Sequence, residues 1–199
     1  MPATQRVVIL DTGCANLSSV RYALERLGYQ PLITDDKQQI INCDKLILPG
    51  VGTAQAAMHN LTAQQLVEVI QSCTQPVLGI CLGMQLLAAY SEEGHLKTLG
   101  IIPQHVVKMS AGQLPLPHMG WNTVMAEPSQ PLFRGLAPHS YFYFVHSYAM
   151  AVGPHTLATT DYGSTFSSAI QQDNFYGVQF HPERSGHNGM QLLKNFLEM

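Results

Sequence analysis

Charge is what this sequence has least of. Only 12% of its 199 residues are Asp, Glu, Lys or Arg, and they leave a net charge of −3. That composition builds no basic surface able to grip nucleic acid or an acidic membrane. Long hydrophobic runs are missing as well. No stretch approaches the ~20 apolar residues of a membrane-crossing helix. The N-terminus MPATQRVVILD passes into a strand without the apolar stretch of a signal peptide. The expected location is therefore the cytoplasm, where Cys14, Cys43, Cys73 and Cys81 are expected to be free thiols. They form no C-x-x-C pair and no zinc-ribbon spacing. H-E-x-x-H is absent too, so a metal set drawn from His146, His181, Glu183 and His187 has no motif behind it, and no metal is expected. Asp11-Thr12-Gly13 echoes the aspartic-protease loop, but that chemistry needs two paired aspartates and no second D-T-G or D-S-G occurs. It reads as a strand-end turn. Repeats, low-complexity tracts and linkers are lacking, which points to one domain over 1–199. A hydrophobic fraction of 46% supplies its core.

What is present begins with alternation. Arg6 to Asp11 reads as a buried strand, followed by a helix with Leu17, Val20, Leu24 and Leu27 on one face and Gly28 to stop it. Short strands are expected over Tyr29 to Ile33, Lys45 to Leu48 and Val77 to Ile80. A helix is expected from Ala54 to Cys73, with a break near Asn60. Strands alternating with helices argue for an α/β fold, a mostly parallel central sheet flanked by helices. Beyond Tyr90 the pattern becomes strand-rich. Tyr141 to Tyr148, Thr156 to Thr160 and Ser168 to Gln172 read as strands. Asp173-Asn174 turns a hairpin into Phe175 to Phe180, and Met190 to Leu197 closes as a helix.

The stretch QPVLGICLGMQLLAAY, from Gln75 to Tyr90, carries the chemistry. Val77, Leu78 and Ile80 read as a strand, and Leu82, Leu86, Leu87 and Ala89 recur at helical spacing. Between them stands G-x-C-x-G, the thiol counterpart of the nucleophile elbow. Glycines at 79 and 83 let backbone pack closely around a sharp bend that holds Cys81 at a helix N-terminus, a place that favours thiolate. A lone cysteine in an apolar run is most often a core residue. A nucleophile also needs a base and an orienting group. His181 ends the strand YGVQF and is followed by Pro182 and Glu183. Proline stiffens that turn, so Glu183 is placed to hold one imidazole nitrogen while the other faces a thiolate. An oxyanion needs about two N–H donors. Leu82 offers one, and the loop Pro49-Gly50-Val51-Gly52 another, unless that loop is only a strand-to-helix turn.

GICLGMQ, the upstream PGVG and the downstream GVQFHPE together resemble the class I, triad-type glutamine amidotransferases, over nearly the whole chain. The resemblance implies a flavodoxin-like fold and hydrolysis of glutamine to glutamate and ammonia through a cysteinyl thioester, without a cofactor. It implies Cys81 as nucleophile, His181 as general base and then acid, and Glu183 as the orienting carboxylate. Gly52 and Leu82 would line the oxyanion hole. Gln85 would contact the glutamine, Glu93 its ammonium, and Ser147 and Tyr148 its α-carboxylate through backbone groups.

Within the family, LDTGCANL, LPGVGTAQAAM, PHMGWN with the single tryptophan Trp121, YFYFVHSY and FHPERSG resemble glutaminase subunits of histidine biosynthesis. Those pass ammonia to a (β/α)8-barrel cyclase subunit in a heterodimer, since a glutaminase fold takes up the 199 residues. Three other readings stand beside this one. They are a glutaminase subunit for a pyridoxal phosphate or anthranilate synthase, a thiol hydrolase on the same scaffold, and a catalytically silent regulatory subunit. One departure is informative. Many relatives in the wider family carry a richer glycine loop, such as P-G-G or P-G-x-G-S-P, where this chain has P-G-V-G. The Cβ of Val51 restricts the peptide flip that would turn an N–H inward, so the hole is expected to stay incomplete until the partner binds. The partner is expected on the PLPHMGWN loop and the PGVG edge.

Overall fold

The computed structural model describes residues 5–13, 16–127 and 129–199; Cys14 lies outside them. The first half alternates as the periodicity predicts: β1 (Val7–Leu10), α1 (Leu17–Arg26), β2 (Leu32–Thr34), α2 (Lys37–Ile41), β3 (Lys45–Gly50), α3 (Ala54–Ala63), α4 (Val67–Gln71), β4 (Val77–Cys81) and α5 (Leu82–Leu86). The second half is strand-rich: β5 (Ala88–Ser91), β6 (Leu96–Lys97), β7 (Ile102–Lys108), β8 (His118–Ala126), β9 (His139–His146), β10 (Tyr148–Met150), β11 (Thr156–Tyr162), β12 (Ser164–Gln172) and β13 (Phe175–Val178), closed by α6 (Gly186–Glu198).

The described strands join one sheet whose main path runs β2-β1-β3-β4-β13-β12-β10-β7-β5-β6. From β2 to β13 every pairing is parallel, and β12 then turns the sheet antiparallel. Alternation along the central strands splits the core in two. Val7, Ile9, Ile47, Leu78 and Ile80 face α1 and α6, whose Leu24, Leu192 and Phe196 are fully buried. Val8, Leu10, Leu46, Leu48 and Val77 face the other way, onto Ile40, Leu61, Ile70 and Leu86 of α2 to α5. Because β4 lies between β3 and β13, the carboxyl ends of three neighbouring parallel strands converge. That is where open α/β sheets build their sites.

Several elements differ from the sequence expectation. The long helix breaks at Gln64–Leu66, with Gln65 at φ 56°, and not near Asn60. Asn60 stays helical and donates its side-chain amide to the Thr12 carbonyl, a tertiary contact that periodicity does not report. Strand β2 starts three residues late because the Tyr29 N–H closes α1 by donating to the Leu24 carbonyl. The short helix α2 went unforeseen, although Asp36 caps it by accepting from the Gln39 N–H. The helix after Cys81 is only five residues long, and Ala88 and Ala89 already belong to β5. The carbonyls of Leu86, Leu87 and Ala88, which would continue the helix, accept instead from the N–H groups of Leu99, Ile102 and Gly100. The aromatic strand expected over 141–148 divides at Ser147 into β9 and β10. Asp11 does form the expected strand-end turn, its carboxylate accepting from the Gly13 N–H at 2.9 Å.

Candidate active site

Cys81 is the last residue of β4, with φ 54° and ψ −110°. A non-glycine residue at positive φ costs on the order of 1–3 kcal/mol and persists only where its surroundings impose it. Here the imposition is close packing of backbone. A Cβ on Gly79 would lie 2.6 Å from the Gly83 carbonyl oxygen, and one on Gly83 only 1.8 Å from that of Leu48. The two glycines let α5 lie against β3 and β4, and the bend between them forces the strained cysteine. With α5 so short, its contribution at Cys81 comes from unpaired first-turn N–H groups more than from a summed dipole.

His181 follows β13, two residues from Glu183 on a one-turn helix begun by Pro182. Glu183 Oε1 accepts from His181 Nδ1–H at 2.8 Å, and both side chains are buried. His181 Nε2 makes no hydrogen bond. Burial alone would depress the imidazole pKa, but the Cys81 sulfur and the Glu183 carboxylate outweigh it and raise the value to about 10. Imidazolium is thus the resting form at neutral pH, bound to Glu183 through Nδ1 and with the Cys81 sulfur as the other group that raises its pKa. Cys81 Sγ sits 3.8 Å from the Val145 carbonyl and accepts from Gln179 Nε2 at 3.7 Å.

The raised pKa has a consequence for stability. Folded His181 holds its proton more tightly than the unfolded chain, whose imidazole titrates near 6.5. The contribution is whole below pH 6.5 and is lost as pH rises through about 10. Urea unfolding of wild type and Glu183→Gln is therefore expected to give a stability difference that narrows steadily from pH 6.5 upward. A difference that widens would refute the raised value.

These groups open into a cavity of about 320 Å³ lined by Val51, Gly52, Cys81, Leu82, Gln85, Glu93, Pro117, Val145, His146, Ser147, Tyr148 and His181. The volume sits at the small end of the ~300–1,000 Å³ typical of small-molecule sites and suits a ligand of amino-acid size. Every residue expected from the sequence to bind or act lines this cavity except Glu183, which supports His181 from behind. Gly52 has φ 92° at the turn that leaves β3. Gln85 Nε2 donates to the Tyr148 carbonyl at 2.8 Å and to Gln179 Oε1 at 2.9 Å. Glu93 Oε2 accepts from the Ala54 N–H at 2.8 Å and so ties its loop to the start of α3, just past the P-G-V-G turn.

Three further residues of the site, Gln179, His118 and His146, are not assigned to it by the sequence, where His146 is weighed only as a metal ligand. Gln179, fully buried, spans Cys81 and Gln85; its place in GVQFHPE was the one available signal. His146 and His118 form a buried imidazole pair, and nothing in their spacing announces it. Among the described residues no three His, Cys, Asp or Glu side chains gather as a metal site.

Comparison with known proteins shows the family of the chain. Residues 8–199 match the family described as glutamine amidotransferase class-I. The chain is 62% identical over 194 residues to imidazole glycerol phosphate synthase subunit HisH of Yersinia pseudotuberculosis, covering 97% of this chain and 99% of that one. It is 60% identical to the protein of the same name from Salmonella typhimurium, over the same shares. In structure it resembles a protein described as a glutamine amidotransferase, with a TM-score of 0.75 at 18% identity, covering 96% of this chain and 97% of that one. It also resembles PurLQS from Thermotoga maritima, with a TM-score of 0.74 at 17% identity and 98% of each chain covered. At those identities the structural likeness speaks for the fold alone.

Proposed function

This chain belongs to the class I glutamine amidotransferases, and from that premise we propose that it is the glutaminase subunit of an imidazole glycerol phosphate synthase. One observation carries the reading: identity of 58–62% over 97–98% of the chain to proteins bearing that name.

In the proposed reaction the Cys81 thiolate attacks the side-chain carboxamide of glutamine. Backbone N–H groups of Gly52 and Leu82 stabilise the tetrahedral oxyanion. Imidazolium His181 protonates the departing nitrogen, which leaves as ammonia, and a glutamyl thioester remains on Cys81. Neutral His181 then takes a proton from water, whose oxygen attacks the thioester, and glutamate departs as the thiolate is restored. Glu183 keeps the imidazole in the productive tautomer throughout. Gln85, Glu93, Ser147 and Tyr148 hold the amino-acid end of the substrate. Gln85 has only its Nε2 engaged, so its Oε1 is available to the ligand. No cofactor takes part.

Ammonia set free in neutral water would mostly protonate, so it is passed directly to a partner protein. We take that partner to be a (β/α)8-barrel cyclase forming a heterodimer with this chain. The ring-forming, lyase half of the synthesis of imidazole glycerol phosphate and aminoimidazole carboxamide ribotide belongs to it. What supports docking beside the cavity is an apolar face on β8 and β9. Met119, Trp121 and Tyr141 are more than half exposed there. Met119 pairs across the ladder with Val145, which lines the cavity, so the face runs to its mouth. Patches of this kind mark protein interaction sites. No helix among the described residues is long and apolar enough to cross a membrane. The free thiols of Cys43, Cys73 and Cys81 fit the cytoplasm, where we place the protein.

Co-expression with a cyclase partner tests the reading. Co-purification and glutamine-dependent formation of imidazole glycerol phosphate are expected; product formation with ammonium salts but never with glutamine would reject it. The P-G-V-G turn adds a second expectation. If the Cβ of Val51 keeps one oxyanion donor from turning inward, the isolated chain should hydrolyse glutamine about 10²–10³-fold more slowly than the complex. Equal rates would show the hole to be complete without a partner.

A further inference from the structure

The His118–His146 pair has a geometry that the triad mechanism leaves unused. His118 opens β8 and His146 closes β9, directly opposite each other in the ladder. Both are buried, and His146 forms part of the cavity wall beside Ser147 and Tyr148. Burial pushes the His118 pKa down to about 4 and that of His146 to about 3, so both rings are neutral at pH 7. Their protons can then be placed from their partners. His146 Nδ1 lies 2.9 Å from the Tyr148 carbonyl oxygen and must donate to it. Its Nε2 is left as an acceptor and receives the His118 Nδ1–H at 2.9 Å. His118 Nε2 in turn accepts from the Asn122 side-chain amide at 3.2 Å. Every bond in this chain points the same way, toward Tyr148. The ring of His118 is clamped between Phe144 and Tyr162, at centroid distances of 4.7 and 4.0 Å.

The Tyr148 carbonyl therefore receives two side-chain N–H donors, from His146 and from Gln85. The preceding carbonyl, of Ser147, accepts from the Met109 N–H at 3.0 Å. The Ser147–Tyr148 and Tyr148–Ala149 peptides are thus pinned at their carbonyls where β9 gives way to β10, and Ser147 and Tyr148 both line the cavity. We propose that His146, backed by His118, is a positioning residue that fixes the Ser147–Tyr148 backbone as the seat of the glutamine α-carboxylate. The proposal rests on the glutaminase reading above. A neutral histidine suits the task because it donates at one nitrogen while accepting at the other, so His118 sets which way His146 points. A seat of this kind acts on recognition of the amino-acid head and leaves the reacting thiol alone.

The test is His146→Phe in the full chain, assayed in complex with its cyclase partner and by labelling of Cys81. Loss of one buried hydrogen bond at the seat is expected to raise KM for glutamine about tenfold, with kcat within about threefold of wild type. Inactivation by a diazoketone analogue of glutamine, which carries the α-amino-acid head, should slow by a similar factor. Alkylation by iodoacetamide, which lacks that head, should keep its rate. His146→Asn, whose amide can stand in for Nδ1–H, should recover most of the loss. His118→Phe keeps the stacked ring, removes the backing bond together with the Asn122 contact, and should shift KM in the same direction by a smaller factor. Equal slowing of both reagents, or an unchanged KM in a folded His118→Phe or His146→Phe protein, overturns the proposal. Wild type that reacts no faster with the glutamine analogue than with iodoacetamide would instead reject the glutaminase reading beneath it.

Discussion

Cys81→Ala is expected to lower glutamine-dependent synthesis by about 10⁴–10⁶-fold, since removing the nucleophile from a dissected triad costs about 10⁶ in kcat. Synthesis from free ammonium salts, by the same complex, should proceed as in wild type. The contrast follows from the geometry of the elbow. Cys81 sits at φ 54°, a strain set by the Cβ and the backbone, and alanine has the same Cβ. The substitution removes one sulfur, adds no strain, and leaves the cavity walls and the proposed docking face as they were. His181 loses one of the two partners that raise its pKa, yet keeps Glu183 at 2.8 Å, so the fold around it is held. Both rates are read from the formation of imidazole glycerol phosphate under glutamine and under ammonium. Retained glutamine turnover would remove Cys81 from its role. Loss of the ammonium-driven reaction would mean that the two proteins no longer meet.

Much of this site was legible in the sequence because its parts depend on local, one-dimensional constraints. A strand, two glycines and a cysteine at fixed spacing leave little freedom, and Pro182 makes His181 and Glu183 nearly as rigid. The carboxyl ends of β3, β4 and β13 come together by the topology of a parallel sheet, which alternation predicts. What was not legible depends on tertiary partners. Helix α5 stops after Leu86 because the segment 98–102 takes its carbonyls, and no pattern within 82–90 records that. Glu93 reads as a substrate ligand, whereas its carboxylate also anchors the start of α3. His118 and His146 are 28 residues apart and meet only through the β8–β9 register.

The glycines of the elbow give the sharpest test of the packing argument, because propensity and packing predict opposite signs. Gly83 lies inside α5, where alanine is ordinarily favoured by about 0.5–1 kcal/mol. On propensity Gly83→Ala should stabilise the protein. Its Cβ, however, would fall 1.8 Å from the Leu48 carbonyl oxygen and 2.9 Å from the Leu48 carbonyl carbon. These are backbone atoms of β3, a strand hydrogen-bonded on one side to β1 and on the other to β4, with no side chain to swing away. Helix α5 must lift off the sheet instead, carrying Leu82 and Gln85 out of the cavity and leaving voids beneath buried Leu86. The expected cost is about 3–5 kcal/mol, the range of overpacking combined with disrupted core contacts. Gly112→Ala serves as the reference. Its Cβ would meet nothing within 4 Å, and its φ of 60° should cost only about 1–2 kcal/mol. Urea unfolding of both variants beside wild type decides the matter. A stabilised or unchanged Gly83→Ala protein would show that α5 does not need contact with the Leu48 backbone. The strain at Cys81 would then have to come from the close approaches at Gly50 and Gly79 instead.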